Sequence, residues 1–403
     1  MRVYLAPCGI GLGHITRVHP IANELGRRGN QTVFSTYLEG LDYAKRNHLP
    51  TYEAVAINFK VTTEGAIDFK RTAATSGFSL GIRMFLRQVV REIQYLKQFR
   101  PDVILSDSRA SSLIAGRLLR IPVALMLNQF RVEIIRRPSG RRLTLFDRLF
   151  FFIANIGWLF VRTAIQLVWG RSQIILIPDL PAPNTISLGN LAIPKGYNEK
   201  VKLIGPIVER RNNSKPNGSH LRRKLGFKQK PPVIYGAISG PKIERDILFG
   251  ILANALKKIS TIYQIVVSQG NPEGSASARL ADGVRIFDWI EDQDDFIRSS
   301  DLMISRAGHG TIMKCLVYGK PMILIPIPDH TEQYGNARRA ASLHVAEIID
   351  QNILNSDSLR AGVQKVLENG TYSEASARIG KETATLDAVS TVCEIVEKLG
   401  KQS

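Results

Sequence analysis

Short apolar runs alternate with stretches of helical period along most of the chain. Residues 2–8 are apolar and end in glycines, and residues 15–28 then place Ile15, Val18, Ile21, Ala22 and Leu25 on one helical face, with Gly29 as the stop. A further apolar run at 31–36 completes a strand–helix–strand unit, which predicts a parallel sheet with helices on its faces. The same alternation returns at 102–106 (DVILS), 110–119 and 122–127 (PVALML). It breaks between Gly205 and Pro232, where four prolines, Asn, Ser and many basic residues crowd together, the composition of a linker. Beyond it, strands are expected at 233–238, 263–268, 284–287, 301–304 and 322–327, separated by helix-length segments. The pattern predicts an α/β protein in two parts: 1–205, a linker at 206–232, and 233–384, followed by 385–403, which holds a last helix-like stretch at 385–399. Open parallel sheets bind ligands beyond the carboxyl ends of their strands, so the loops after residues 8, 106, 238, 304 and 327 are where chemistry is expected.

One segment departs from this pattern. Residues 143–170 (LTLFDRLFFFIANIGWLFVRTAIQLVWG) are mostly apolar and follow Arg131, Arg136, Arg137, Arg141 and Arg142. The charge-free core, 149–161, is 13 residues long, short of the roughly 20 that cross a bilayer, so a transmembrane helix is not expected. Two readings remain: a buried helix, or an interfacial helix near 131–170 with Phe151 and Trp158 toward lipid and Arg136, Arg137, Arg141 and Arg142 toward anionic headgroups.

Charge sharpens this picture. The 403 residues carry 54 Lys and Arg against 35 Asp and Glu, a formal +19, and residues 1–200 hold 27 of the basic side chains and 13 of the acidic ones. Most of the excess thus adjoins the apolar segment, which predicts an anionic membrane surface as a partner. No basic face interleaved with aromatic residues is present, so nucleic acid is not expected. Cys8, Cys315 and Cys393 show neither metal-ligand pairing nor a disulfide framework, and the first residues lack a signal-peptide core; a cytoplasmic setting, peripheral on the inner face of the membrane, is expected.

Five loops carry candidate chemistry. Gly9-Ile10-Gly11-Leu12-Gly13-His14 lets the backbone approach a ligand, and His14 at a sheet edge can act as a general base. Ser106-Asp107-Ser108 ends the strand at 102–106. If that strand lies beside the first, Asp107 can fix the tautomer of His14; a helix N-cap is the alternative role. Ser305-Arg306-Ala307-Gly308-His309-Gly310-Thr311 offers backbone N–H groups, a hydroxyl and a cation to a diphosphate. Ser239 and Gly240, in Ile238-Ser239-Gly240-Pro241, can close over the same phosphates. Glu332 and Gln333, in Pro328-Asp329-His330-Thr331-Glu332-Gln333, suit two sugar hydroxyls. Together these describe a nucleotide-sugar site. The acidic run Asp292-Gln293-Asp294-Asp295 reads as a helix cap with solvated neighbours rather than a metal site, and neither a metal nor a cofactor is expected.

The stretch SRAGHGTIMKCLVYGKPMILIPIPDHTEQYGNA resembles the donor-binding signature of inverting GT-B glycosyltransferases, the group of the UDP-glucuronosyltransferases and the lipid-linked peptidoglycan N-acetylglucosaminyltransferase. CGIGLGHITR with ILSDSRASSLIAGRLLRIPV resembles the first domain of its prokaryotic branch, family 28-like with a GLGHxxR loop. The resemblance spans roughly 1–130 and 200–350. It implies two Rossmann-like domains facing across a cleft, the donor in the second, the acceptor in the first, and a final helix returning to the first. It further implies His14 as base with Asp107 as partner, and Gly11, Gly13, Ser239, Gly240, Arg306, Gly308, His309, Gly310 and Thr311 around the donor. Glu332 and Gln333 would hold its sugar, and Ile290, beside Trp289, would pack on its base. Where the family carries a ribose-holding Glu, this chain has Lys314, and an ammonium group has no acceptor.

The expected activity is metal-independent transfer of a sugar, with inversion, from a nucleoside-diphosphate donor (a UDP-sugar) to a hydroxyl or phosphate of a lipid-linked acceptor. The alternatives are a catalytically silent subunit that recruits a partner enzyme, and a sugar-nucleotide 2-epimerase.

Overall fold

The computed structural model describes residues 1–56, 69–130, 144–208, 218–240, 242–328 and 330–402, with side chains at 69–80, 147, 150, 151, 154 and 158 outside the described set. In chain order the first half contains β1 (Arg2–Pro7), α1 (Gly13–Arg27), β2 (Gln31–Thr36), α2 (Leu38–Arg46), β3 (Thr51–Glu53), α3 (Phe69–Phe99) and β4 (Val103–Asp107). It continues with α4 (Ala110–Leu118), β5 (Val123–Met126), α5 (Leu145–Trp169), β6 (Ile174–Ile177), α6 (Leu188–Leu191) and β7 (Val201–Leu203). The second half contains α7 (Gly218–Lys224), β8 (Val233–Ala237), α8 (Lys242–Lys257), β9 (Gln264–Ser268), β10 (Arg279–Ala281), β11 (Val284–Phe287), α9 (Gln293–Ser299) and β12 (Leu302–Ser305). After these come α10 (His309–Val317), β13 (Met322–Leu324), α11 (Thr331–Ser342), β14 (Ala346–Ile348), α12 (Ser356–Glu368), α13 (Gly370–Thr383) and α14 (Ala388–Gly400).

The described strands form two sheets, ordered β3-β2-β1-β4-β5-β6-β7 and β10-β11-β9-β8-β12-β13-β14. Every pairing is parallel except the β10–β11 edge. The central strands are apolar on both faces, as a parallel sheet sandwiched by helices requires, and β1, β4, β8 and β12 are almost wholly buried. Strand order reverses between β1 and β4 and again between β8 and β12. A parallel sheet opens a crevice at such a point. The register puts Pro7 opposite Asp107, so the glycine loop after β1 emerges beside the end of β4. In the second sheet Ser305 lies opposite Ala237 and Leu324, which gathers the loops after β8, β12 and β13.

Within the stretch expected to be a linker, residues 218–224 form α7, and Leu221 and Phe227 are buried against the second half. The strand expected at 322–327 ends at Leu324, though Ile325 and Ile327 stay buried. The last helix, α14, lays Ala388, Val392, Cys393 and Val396 into the core beneath the first sheet, among Ile15, Val18 and Leu25 of α1.

Of the two readings of the apolar segment, burial does not fit the described side chains of α5: Phe152, Ile153 and Phe160 are 63, 60 and 71% exposed, and among those described it is the end, at Ile165, Val168 and Trp169, that meets the core beside Phe130. Ile82, Leu86 and Val90 of α3 are exposed too. No helix among the described residues is long and apolar enough to cross a membrane.

Candidate functional site

At the first reversal point, His14 opens α1 and Asp107 closes β4. The His14 ring places Nδ1 2.9 Å from Asp107 Oδ1. Asp107 is fully buried, and burial alone would raise its carboxyl. The charges of Arg17 and His14 and their hydrogen bonds outweigh this and hold it well below the usual carboxylate range. Ionised Asp107 can only accept, so His14 Nδ1–H donates and Nε2 is the nitrogen left to take a proton. About a quarter of the His14 side chain is exposed. The loop before it is tightly constrained: a Cβ on Gly9 would lie 1.9 Å from the Tyr37 carbonyl oxygen, and Gly40 N–H donates to the Gly9 carbonyl. The N-cap alternative for Asp107 is not what is found. The α4 cap position is Arg109, with no side-chain cap bond.

Arg17, one turn after His14, was not singled out as a site residue. It donates through Nε and Nη2 to the two Asp107 oxygens and through Nη1 to Asn128 Oδ1. The signal lay in the sequence, since a three-residue step puts both side chains on one helical face.

At the second reversal point, α10 begins after Gly308 with no side-chain cap and no acidic residue in its first turn. Gly308 has φ −70°, and a Cβ added to Gly308 or Gly310 would meet nothing within 4 Å. The same holds at Gly13, at the start of α1. Neither backbone conformation nor packing requires glycine at these positions, so they border open space. Ser239 and Gly240 are exposed nearby, and Thr311 is half-buried.

Two expected donor contacts sit elsewhere. The Arg306 guanidinium is buried and donates to the carbonyl oxygens of Ile325 and Pro326, in the loop after β13, and of Glu244, in the first turn of α8, bracing both from within. The His309 ring is buried with Nε2 3.2 Å from Asp179 Oδ2. Burial works against the Asp179 charge, but His309 and the hydroxyl and N–H of Ser187 prevail and bring its carboxyl down to about 2. Ile290 is buried in the second core. Lys314 Nζ lies 3.1 Å from Asp294 Oδ1, and Tyr318 donates to the other oxygen of that carboxylate. In the acidic run, Asp292 caps α9 and Asp295 pairs with Lys224. Gln333 Oε1 accepts from Ile327 N–H, which fixes the loop before α11.

The two sites face each other. Gln129 Nε2 donates to Glu332 Oε2 across the gap (3.4 Å), one residue beyond the Asn128 that holds Arg17. Asn190 donates to the Glu332 carbonyl oxygen (3.2 Å) and Arg339 to that of Thr185 (2.9 Å). Leu180 and Ile186, from the loop after β6, lie within the core of the second half. Arg136, Arg137, Arg141 and Arg142 fall outside the described residues, as do Pro241, Asp329 and the side chains of Phe151 and Trp158.

Residues 251–392 match the C-terminal domain of glycosyltransferase family 28. A protein of Methanosarcina mazei named as an uncharacterized glycosyltransferase is 26% identical over 405 residues, covering 99% of this chain and 98% of its own. This is a glycosyltransferase of the GT-B fold, and its residues 251–392 match the family 28 C-terminal domain. The UDP-N-acetylglucosamine–N-acetylmuramyl-(pentapeptide) pyrophosphoryl-undecaprenol N-acetylglucosamine transferase of Lactiplantibacillus plantarum is 24% identical, over 85% of this chain and 88% of its own. Among solved structures, the spinosyn rhamnosyltransferase SpnG superposes with a TM-score of 0.66 at 19% identity, covering 99% of this glycosyltransferase and all of SpnG. The family match covers α10 and α11, so Gly308 and Gly310 lie within it.

Proposed function

We propose that this glycosyltransferase moves a sugar, with inversion, from a UDP-sugar to a hydroxyl of a lipid-linked acceptor at a membrane surface. The observation that carries the reading is the His14–Asp107 pair at one strand-order reversal and the open start of α10 at Gly308–Gly310 at the other, with Gln129 reaching Glu332 across the gap. A glycine inside a helix weakens it by about 1 kcal/mol relative to alanine, and close approach of a ligand to the backbone is a reason to keep one in the first turn, as at Gly310. The donor diphosphate lies against the start of α10, where unpaired N–H groups favour an anion. His14 Nε2 takes the acceptor hydroxyl proton as the oxygen bonds to the anomeric carbon, and the bond to the diphosphate breaks with its electron pair leaving on the nucleotide. In this reading Glu332 and Gln333 meet the sugar, and Arg306 ties the loop after β13 to the start of α8.

The lipid acceptor is supported by the uncovered apolar face of α5 together with the basic excess of residues 1–200. The relative from Lactiplantibacillus plantarum acts, by its name, on an undecaprenol-linked acceptor. The test uses the purified enzyme, a panel of nucleotide sugars, and lipid-linked or soluble acceptors, with product stereochemistry read by NMR. Transfer with inversion from a UDP-sugar is expected, and His14→Ala should lower the rate by about a thousandfold or more. An unchanged rate in that variant removes His14 as the base. Flotation with anionic vesicles at low salt tests the membrane, and a protein left in the dense fraction overturns that part.

A further inference from the structure

Accepting the assignment of His14 as base, the ion pair behind it raises a question of charge. A lone buried carboxylate against an imidazole stabilises the imidazolium, and a protonated histidine cannot take a proton. Here Asp107 does not belong to His14 alone. Its Oδ1 accepts from His14 Nδ1, Arg17 Nη2 and Ser108 Oγ, and its Oδ2 from Arg17 Nε. Arg17 Nη2 is also 3.1 Å from His14 Nδ1, and all three guanidinium nitrogens are engaged, the third by Asn128. The side chain is 12% exposed, so the fork is fixed rather than freely solvated.

We propose that Arg17 is a positioning residue that sets the basicity of His14: by matching the Asp107 charge one for one, it leaves the carboxylate able to orient the ring while preventing it from trapping the imidazolium. The other groups around the ring are accounted for. On the loop after β1, Cys8 is a half-buried thiol pushed up by desolvation and hydrogen-bonded to the Tyr37 hydroxyl. Behind Asp107, Arg109 is closed in an ion pair with Glu92. Across the gap, Glu332 is engaged by Gln129. Among the described residues, Arg17 is therefore the cation that directly meets both members of the pair.

The test reads the ring itself. In histidine-labelled protein the His14 imidazole is followed by NMR through a pH titration and assigned by its loss in His14→Gln. Arg17→Met should raise the midpoint by about one unit or more, the usual effect of a charge at this range. Arg17→Lys, which keeps the charge and loses the fork, should restore most of it. If Arg17→Met does not fold, Arg17→Gln makes the same measurement, keeping a donor toward Asp107 without the charge. A midpoint unmoved in a folded, uncharged variant overturns the proposal. The acid limb of kcat/KM against pH separates the two readings. If the midpoint and the limb rise together, both stand. If the midpoint rises alone, His14 is not the base, while the hold of Arg17 on it stands.

Discussion

Glu244 is a carboxyl that the fold keeps from water without giving it a counterion in contact. It sits at the start of α8 with Oε2 buried and no partner for that atom among the described residues. Burial pushes its pKa up to about 7, against the pull of the Arg306 charge. The folded state then binds a proton that the unfolded chain has already released, so stability falls as pH rises from about 4.3 to about 7. Glu244→Gln should remove that slope and be the more stable protein above pH 7, as measured by urea unfolding across that range. A parallel slope in the variant would assign the effect elsewhere. At this scale the sequence was readable where a residue type has a distinctive chemistry at a strand end, as with His14 and Asp107. It was less so where burial decides the role. Arg306 looks like a phosphate ligand from its motif, but its Nη1 and Nη2 donate to carbonyl oxygens inside the protein. Lys314, a departure from the family pattern, is met by Asp294, a partner supplied by a different helix.

Among the elements, those with strong periodicity were legible: α1, α4 and α14, and the central strands. Of the three-residue strands, β13 is legible from the apolar run around it, whereas β3, β7, β10 and β14 have too little pattern to detect and sit in the sheets by virtue of pairing with a neighbour. For α5, apolar content alone could not separate burial from exposure, because both favour the same residues. Its uncovered face gives a clear expectation. Phe152→Ser with Phe160→Ser should weaken vesicle binding at least tenfold in a flotation titration and shift unfolding by no more than about 0.5 kcal/mol each, as exposed sites do. Gly9 presents the opposite case. Its Cβ would strike the Tyr37 backbone rather than a movable side chain, so Gly9→Ala should cost about 1–3 kcal/mol in a denaturant melt and disturb the loop that carries His14. A variant with unchanged melt and rate would show that the loop can step aside.

The two halves of the molecule are tied together at several levels: Gln129 to Glu332, Asp179 to His309, and Leu180 with Ile186 set into the opposite core. The alternation along the sequence predicts two sheets, but nothing in that pattern marks the loop after β6 as the piece that joins them. The return of α14 is the most far-reaching of these ties. Removing residues 388–403 would uncover Val18, Leu25 and their neighbours and lose the burial of Val392, Cys393 and Val396, side chains worth about 1–2 kcal/mol apiece. The truncated protein should melt about 10 °C lower by calorimetry, with the loss concentrated in the first half in hydrogen exchange. Equal loss in both halves would mean that α14 supports the whole rather than the first sheet. There is a consequence for biosynthesis as well. Ribosomes add roughly 5–20 residues per second, so the first half must wait about 10 to 40 s after β7 is made before the helix that completes its core exists. The part of this glycosyltransferase that is translated first is therefore among the last to finish folding, and during that interval its unsealed α1 face is what a chaperone would meet.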